Sequence, residues 1–535
     1  MLGLSKERRK AYGEAVFLLY FVLMISARAV GLYEGTTVYT VVLLFAMILF
    51  GIKVLITGHS LREYIIMIAC LGITGIVYLN TGEKGLIICF MTVFGMKCVD
   101  RRKVILYGAI SAALCITFRV FTGVFGILPE KYYPQMRDGI GLMFRHSLGY
   151  VHPNTLHMNV LMLSMMIIYL CSSGLNEVKQ IKKRDRVIRL VALDILVFAY
   201  NVYVFFYSGS RTGLLAAAVY VFVSFWFFMR PVPGIVEKAA CYAAYPVVCF
   251  ISVVLPFILP DGIFEKIDRT VFNTRLTIAR YFMSNNRISL FGIRLNNPLP
   301  EYRTYGLDMS HMYLFLQLGL VAFVMIGMFT MGFVHLALRK GMMAELAVLL
   351  GTLFAGIWEP YLYNLGFKNF TYVFMGTLLY ELTSESEDHL YAKSDSDSWI
   401  FGFRIGEALC LRRLLITAAV GMLAGCIAAS VYLAATDVPS ALYADLSEDE
   451  SGVGFGMEEL YLSPEEISQL RSDGNLVVGY ADGKTPMYKY DSGIAVSEYH
   501  KRALSVGVWT GLAFAAAVAF VGTALDKNRG TGRDE

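Results

Sequence analysis

Apolar and polar positions alternate along this chain on the scale of whole helices rather than single residues. Apolar runs of about 20 residues recur from end to end, long enough to cross a hydrocarbon core of about 30 Å. They fall at 13–31, 37–56, 64–80, 84–98, 103–127, 154–173, 187–207, 211–229, 238–259, 311–335, 342–361, 366–382, 413–435 and 503–525. A span in lipid must satisfy its own backbone hydrogen bonds, so each is expected to be a helix. The pattern predicts an all-α, polytopic membrane helical bundle of about fourteen transmembrane helices. A large outer loop at 260–310 and a small outer cap near the C-terminus complete it.

Composition agrees. The 535 residues are 56% hydrophobic and 17% charged, against about 25% charged in soluble domains. The charges that remain are placed unevenly. Lys and Arg concentrate in cytoplasmic loops, and Lys6, Arg8, Arg9 and Lys10 precede the first run. With the N-terminus inside, the crossings also place inside Lys53 and Arg62, Lys97 to Lys103, the basic cluster 179–186, Arg230 and Lys238, Arg339 and Lys340, Arg404 to Arg413, and Lys527 to Arg533. Both termini are therefore expected in the cytoplasm. No small-residue cleavage site follows the first run, which is expected to stay in the chain. The helices read as nearly free of charge apart from Arg28 and Arg119.

Several classes of function are disfavoured. The nine cysteines lie in or beside the spans without zinc-ligand spacing, so neither a disulfide framework nor a metal site is indicated. No phosphate-loop pattern of the Gly-x-x-x-x-Gly-Lys type occurs. No cofactor and no nucleic-acid partner is expected.

Two outer regions carry candidate chemistry. The loop 260–310 holds Arg269, Arg275, Arg280, Arg287, Arg294 and Arg303 but only one lysine, Lys266. An Arg fork matches phosphate oxygens in bidentate fashion, so this excess points to an anion site. A solvated, partly helical loop is the bland alternative, and the spacing does not keep all the arginines on one helical face. The second region is Ser208-Gly209-Ser210-Arg211-Thr212-Gly213, a tight turn between two long runs. A cation at membrane depth tends to be functional or to snorkel as an anchor. His152-Pro153-Asn154 enters a span, where proline suits a first helical turn. Glu359 stands deep at the end of another, beside Trp358, Tyr361 and Tyr363.

The order SGSRTGLLAAAV, then NTRLTIARYFMSNNRISLFGIRL about 65 residues on, then DMSHMYLFLQLGLVAFV resembles the O-antigen polymerase and ligase superfamily. The resemblance covers about residues 10–382. Arg211 matches the Arg of the Ser-Arg turn, Arg275 the Arg that opens the loop helix, and His311 the His before the next span. His311 is followed by Met312, where the ligase branch has Asn. The strict Arg-x10-Gly loop motif is absent, since Gly149, Gly292 and Gly306 each fall one position late after Arg137, Arg280 and Arg294.

The resemblance implies glycosyl transfer between two polyprenyl-pyrophosphate-linked glycans, donor and acceptor, on the outer face of the bacterial cytoplasmic membrane. Arg211, Arg275 and Arg280 would hold the leaving pyrophosphate, without a metal. His311 is the first candidate for the base and Glu359 the second. His152 and Arg294 are further candidates to line the site. The lipid bilayer holds the substrate tails, and a flippase and a chain-length regulator are partners of such systems.

Residues 1–382 form the polymerase-like transmembrane domain, 383–412 a polar cytoplasmic linker, and 413–535 a two-helix module. Its outer segment 437–502 carries thirteen acids and five basic residues. There Ser463 to Glu466 read as a capping-box helix start, and LVVGYADGKTPMYKYD as a hairpin turning at Asp482-Gly483. Two other classes stay open: a polysaccharide transporter or flippase, and a scaffold that holds anionic polymer by charge alone. Among enzymes, ligase-type transfer to a different acceptor also stays open.

Overall fold

The computed structural model describes residues 6–125, 127, 132–137, 141–177, 182–299, 306–383, 399–400, 403–404, 411–437, 441–445, 476–481 and 485–530. The principal helices in chain order are α1 (Lys6–Ala29), α2 (Thr37–Ile56), α3 (Leu61–Thr81), α4 (Gly85–Gly95), α5 (Arg101–Val124), α6 (Pro153–Glu177), α7 (Lys183–Ser208) and α8 (Arg211–Met229). They continue with α9 (Ile235–Ile258), α10 (Asp261–Ile267), α11 (Arg275–Asn285), α12 (Leu320–Lys340), α13 (Met343–Ala355), α14 (Thr371–Thr383), α15 (Leu411–Ala435) and α16 (Ser492–Gly530). Among the described residues, eleven helices are long and apolar enough to cross a membrane. The chain is thus an all-α, multi-pass membrane protein in build.

Every predicted run falls on helix, but three of the helices are short. α4 has 11 residues and α13 and α14 have 13 each. At 1.5 Å per residue they reach only about 17–20 Å. They are interior elements: nearly every residue of α4 is buried, as are most of α13 and α14. Protein covers them, so a full bilayer-spanning length is not required of them. The run 311–335 is also broken. A short helical turn at Ser310–Met312 and a wider π-type turn at Tyr313–Gln317 precede α12, and Gly319 separates them at φ 93°.

Helix ends follow local chemistry. Ser60 and Glu63 form a reciprocal capping box at α3, and Gly82 ends that helix at φ 86°. Pro256 has no N–H to bond the preceding turn, and α9 widens over Phe250–Val254 just before it.

The chain packs as two units. The first comprises residues 1–116, 158–173 and 212–396; the second comprises 117–157, 174–211 and 397–535. In the first, α1 lies on α2, α4 on α14, and α12 on α9. Tyr20 Oη donates to the Ile88 carbonyl at 3.3 Å, and Tyr380 Oη to that of Phe94 at 2.8 Å. Ion pairs gather at the helix ends predicted to be cytoplasmic: Lys97 with Glu63, Lys103 with Glu14, and Arg101 with Glu345. Lys53 donates to the Lys97 carbonyl at 2.7 Å.

In the second unit α15 and α16 pack closely through small residues. Gly421 and Gly425 face Gly511 and Gly507, and a Cβ on Gly425 would lie 2.6 Å from the Gly507 carbonyl oxygen. Two facing Gly-x3-Gly pairs let the backbones approach as they do in membrane helix pairs. Between these helices, strand 476–481 pairs antiparallel with 485–491, and 441–445 joins its other edge. The hairpin expected there is present, while its Asp482-Gly483 turn and the Ser463 helix start lie outside the described residues. His146 Nε2 meets Glu498 Oε2 at 2.6 Å, and Tyr207 Oη donates to the Lys501 carbonyl at 2.6 Å, joining α16 to α7 and to the segment before α6.

The expectation that the helices are nearly free of charge apart from Arg28 and Arg119 is corrected. Asp194 in α7, Glu14 in α1, Lys53 in α2, Glu63 in α3 and Glu345 in α13 are all buried. Several sit one or two turns inside helix ends, where ion pairs and carbonyls compensate them, so low mean charge concealed them.

Candidate functional site

Arg275 is the centre of a buried polar cluster in the first unit. The chain before it makes a left-handed step, with Asn273 at φ 51° and Thr274 at φ 68°. Residues other than glycine seldom adopt that region, at a cost of order 1–3 kcal/mol each. Asp268 offsets it by capping α11: its Oδ1 accepts the Leu276 N–H at 2.9 Å and its Oδ2 that of Thr277 at 3.0 Å. Arg275 is thereby presented as the first residue of α11 and is 7% exposed.

Its guanidinium is held on several sides. Nε donates to the Trp358 carbonyl at 2.6 Å, Nη1 to the Phe272 carbonyl at 3.3 Å, and Nη2 to Glu359 Oε1 at 3.4 Å. Asp308 Oδ2 lies 3.8 Å from Nε. Glu359 Oε1 also accepts from Thr212 Oγ1 at 3.2 Å. Trp358 stacks on Phe272 and donates through Nε1 to the Val271 carbonyl at 3.2 Å. Ser310 ties the two walls together: its N–H donates to the Gly356 carbonyl at 2.9 Å, and its hydroxyl donates to that of Glu359 and accepts the Leu362 N–H.

The two carboxylates differ in access. The Glu359 side chain is 9% exposed and the Asp308 side chain 42%. Asp308 is enclosed by protein while opening onto solvent-accessible space. That enclosure raises its pKa above the usual aspartate value, and the Arg275 charge acts in the opposite direction.

The other predicted residues divide. His311 is fully buried one residue past Ser310, with Nδ1 3.4 Å from Tyr363 Oη and the Tyr245 ring edge-on at 5.8 Å. Arg280 lies elsewhere on the loop. It donates to the Pro256 carbonyl, to that of Leu259 at 3.2 Å and to Asp261 at 3.4 Å, over the Phe264 ring. It closes the widened end of α9 and does not join the Arg275 cluster. Arg287 and Arg294 are exposed, and Arg303 lies outside the described residues. Arg211 is the exposed first residue of α8. His152 Nδ1 accepts the Asn154 N–H at 3.1 Å where Pro153 opens α6, a helix-start role.

The Gly-containing loop segment and the Leu-Gly-Leu turn meet. Ile293 N–H donates to the Gln317 carbonyl at 3.0 Å, Leu320 N–H to that of Ser289 at 2.9 Å, and Val321 N–H to that of Leu290 at 3.0 Å. These bonds satisfy the first amides of α12, and Gly292 and Gly319 sit against each other with φ 81° and 93°.

In the second unit, Arg145 holds the Ser-Gly-Ser turn. Nε donates to the Ser208 carbonyl at 2.8 Å and Nη2 to Asn154 Oδ1 at 2.5 Å. His157 Nδ1 lies 3.2 Å from Ser208 Oγ.

Sequence reasoning missed Thr212, Asp308, Ser310, Lys368 and Arg145. Asp308 and Ser310 stand inside the quoted DMSH string, and Lys368 is a charge within an apolar run, itself a signal. Thr212 stands inside the Ser208–Gly213 turn, while Arg145 carries no comparable mark. No metal-binding group of three or more His, Cys, Asp or Glu occurs among the described residues. Comparison with protein-family models, with curated proteins and with solved structures returns no match.

Proposed function

We propose that this chain is a metal-independent membrane glycosyltransferase of the polysaccharide polymerase type. It joins polyprenyl-pyrophosphate-linked oligosaccharides at the outer face of the bacterial cytoplasmic membrane, with fourteen crossings and both termini inside. The observation that carries this reading is the Arg275 cluster. One arginine of the large loop is locked in place by two carbonyls and a buried glutamate, with an accessible carboxylate at its edge.

The chemistry follows from these groups. An acceptor sugar hydroxyl attacks the anomeric carbon of the donor. The bond from that carbon to the pyrophosphate oxygen breaks, and the negative charge that builds there meets a preorganised guanidinium. The hydroxyl proton passes to a carboxylate. We assign that role to Asp308 because its side chain is open, whereas Glu359 is committed to Arg275 and Thr212 and His311 is fully buried. Glu359 then positions Arg275.

Polymer length tests the reading in cells lacking the protein, complemented with wild type or Arg275→Lys. A ladder that collapses to one lipid-linked repeat, restored by wild type but not by Arg275→Lys, is expected. A lysine cannot reproduce three separate donor directions. Full-length polymer in cells without the protein refutes the proposal.

A further inference from the structure

A second cationic group lies in the same unit, on the chain segment that carries Glu359. Residues 356–370 connect α13 to α14, and this connection is pinned at several points. Tyr39 Oη donates to the Leu365 carbonyl at 3.0 Å, and Arg28 Nε to that of Gly366 at 3.3 Å. Phe367 takes a left-handed φ of 47°, with its ring 6.3 Å from that of Tyr20 and 5.6 Å from that of Phe21. Asn369 Oδ1 accepts the Thr371 N–H at 3.2 Å. Lys368 is therefore fixed from both sides and is 7% exposed.

Neither cation here has a carboxylate in ion-pair contact among the described residues, and the groups that attract Arg28 from further off are Tyr39 and Glu34. Among the described residues, Lys368 has no hydrogen-bond acceptor and no carboxylate within 4 Å. Arg28 spends Nη1 on the Leu32 carbonyl and Nε on that of Gly366, and its guanidinium lies 5.3 Å from the Tyr39 ring centre. It too has no carboxylate within 4 Å among the described residues. The charges that act on Lys368 are Arg28, which repels it, and Glu359, which attracts it. Glu359 in turn feels both Arg275 and Lys368. A buried ammonium without a partner is expensive. A fold that nevertheless pins one beside an arginine has a place for an anion.

We propose that Lys368 and Arg28 form a second phosphate subsite, so that one pyrophosphate is held by Arg275 at one phosphate and by Lys368 with Arg28 at the other. This rests on the glycosyl-transfer reading for its substrate but not for its chemistry. The consequence is specificity: the site selects a pyrophosphate over a monophosphate, and Lys368 determines the choice. A lysine suits the task because its three rotatable donors adapt to whichever oxygens face it.

The test uses full-length protein in lipid nanodiscs, titrated with inorganic pyrophosphate and inorganic phosphate, and then with polyprenyl pyrophosphate and polyprenyl monophosphate. Wild type is expected to prefer the pyrophosphate form by at least about tenfold, the scale of one charge-assisted hydrogen bond. Lys368→Met should bind monophosphate as wild type does and lose that preference, while Lys368→Arg keeps it. Lys368→Met removes an unpaired buried charge, so it should fold at least as well as wild type, and its melting temperature checks this. Equal binding of both anions by wild type, or an intact preference in a folded Lys368→Met, overturns the subsite. If the anion preference behaves as expected but polymer length does not depend on the protein, the subsite stands and the glycosyl-transfer reading fails. Response to the lipid-linked forms alone assigns the site to a lipid headgroup. Response to the inorganic ions as well shows that the phosphates themselves suffice.

Discussion

Breaking the Arg275–Glu359 pair should reveal a coupling that neither residue shows alone. Both side chains are under 10% exposed, at 8% and 9%, so solvent screening offers little relief. Arg275→Gln leaves the Glu359 carboxylate buried and without its guanidinium partner, while the Thr212 hydroxyl still donates to it. Removing one member of a buried ion pair costs about 3–5 kcal/mol, mainly through the stranded charge. Glu359→Gln is milder. Arg275 keeps the Trp358 and Phe272 carbonyls and stays near Asp308, so the loss should be about 1–3 kcal/mol. The double variant strands no charge at Glu359 and should lose less than the sum of the two by at least about 1 kcal/mol. The assay is a double-mutant cycle of unfolding in detergent, with polymer length read in parallel. Glycosyl transfer should fall by about a hundredfold or more in Arg275→Gln and in the double variant, since no stability rescue restores the lost donor. Additivity within about 0.5 kcal/mol refutes the pairing. Normal polymer in a folded Arg275→Gln refutes its role at the reacting centre.

Three further outcomes are expected. Transfer should weaken as pH falls through a midpoint above the ordinary aspartate value of about 3.9. The sign follows from the raised pKa of Asp308, which protonates early and then cannot accept the hydroxyl proton. A pH profile of Asp308→Asn should be low and lack this acidic limb; an unchanged limb assigns the base elsewhere. Gly425→Val places a Cβ within 2.6 Å of the Gly507 carbonyl oxygen and should cost about 1–3 kcal/mol, separating α15 from α16. Cysteine cross-linking between the two helices reads this, and retained cross-linking counts against the close approach. Gly292→Ala meets the Gln317 carbonyl oxygen at 2.4 Å and a φ of 81°. It should free the loop from α12, measured as faster amide exchange of Ile293 and Leu320.

What the sequence conveyed, and what it withheld, follows from the range of the interactions involved. Transmembrane helices are local objects, because each apolar run must close its own hydrogen bonds, so the runs from 13–31 to 503–525 were legible one at a time. The shortness of the interior helices α4, α13 and α14 was not legible, because hydropathy does not distinguish a helix covered by lipid from one covered by protein. The break at Gly319 was hidden for a different reason. Its φ of 93° is set by the loop segment around Gly292, about 27 residues earlier in the chain, and no local pattern reports such a partner.

The site divides along the same line. Arg275 and Glu359 were individually visible as an arginine in an arginine-rich loop and an acid at membrane depth. Their pairing was not, since 84 positions separate them. Arg280 shows the converse. It has the same residue type and the same helix as Arg275, yet it clamps the Pro256 and Leu259 carbonyls where α9 widens. Charge type marked the region, while the backbone chose the residue. The left-handed pair Asn273-Thr274 and the Asp268 cap aim position 275 at the 356–370 segment, whereas position 280 turns toward the end of α9. Replacing Asp268 by Ala therefore separates aim from chemistry. It should lower transfer while leaving every group of the Arg275 cluster present, and Arg275→Lys should add little further loss on that background. A full additional loss would mean that Arg275 holds its geometry without the cap.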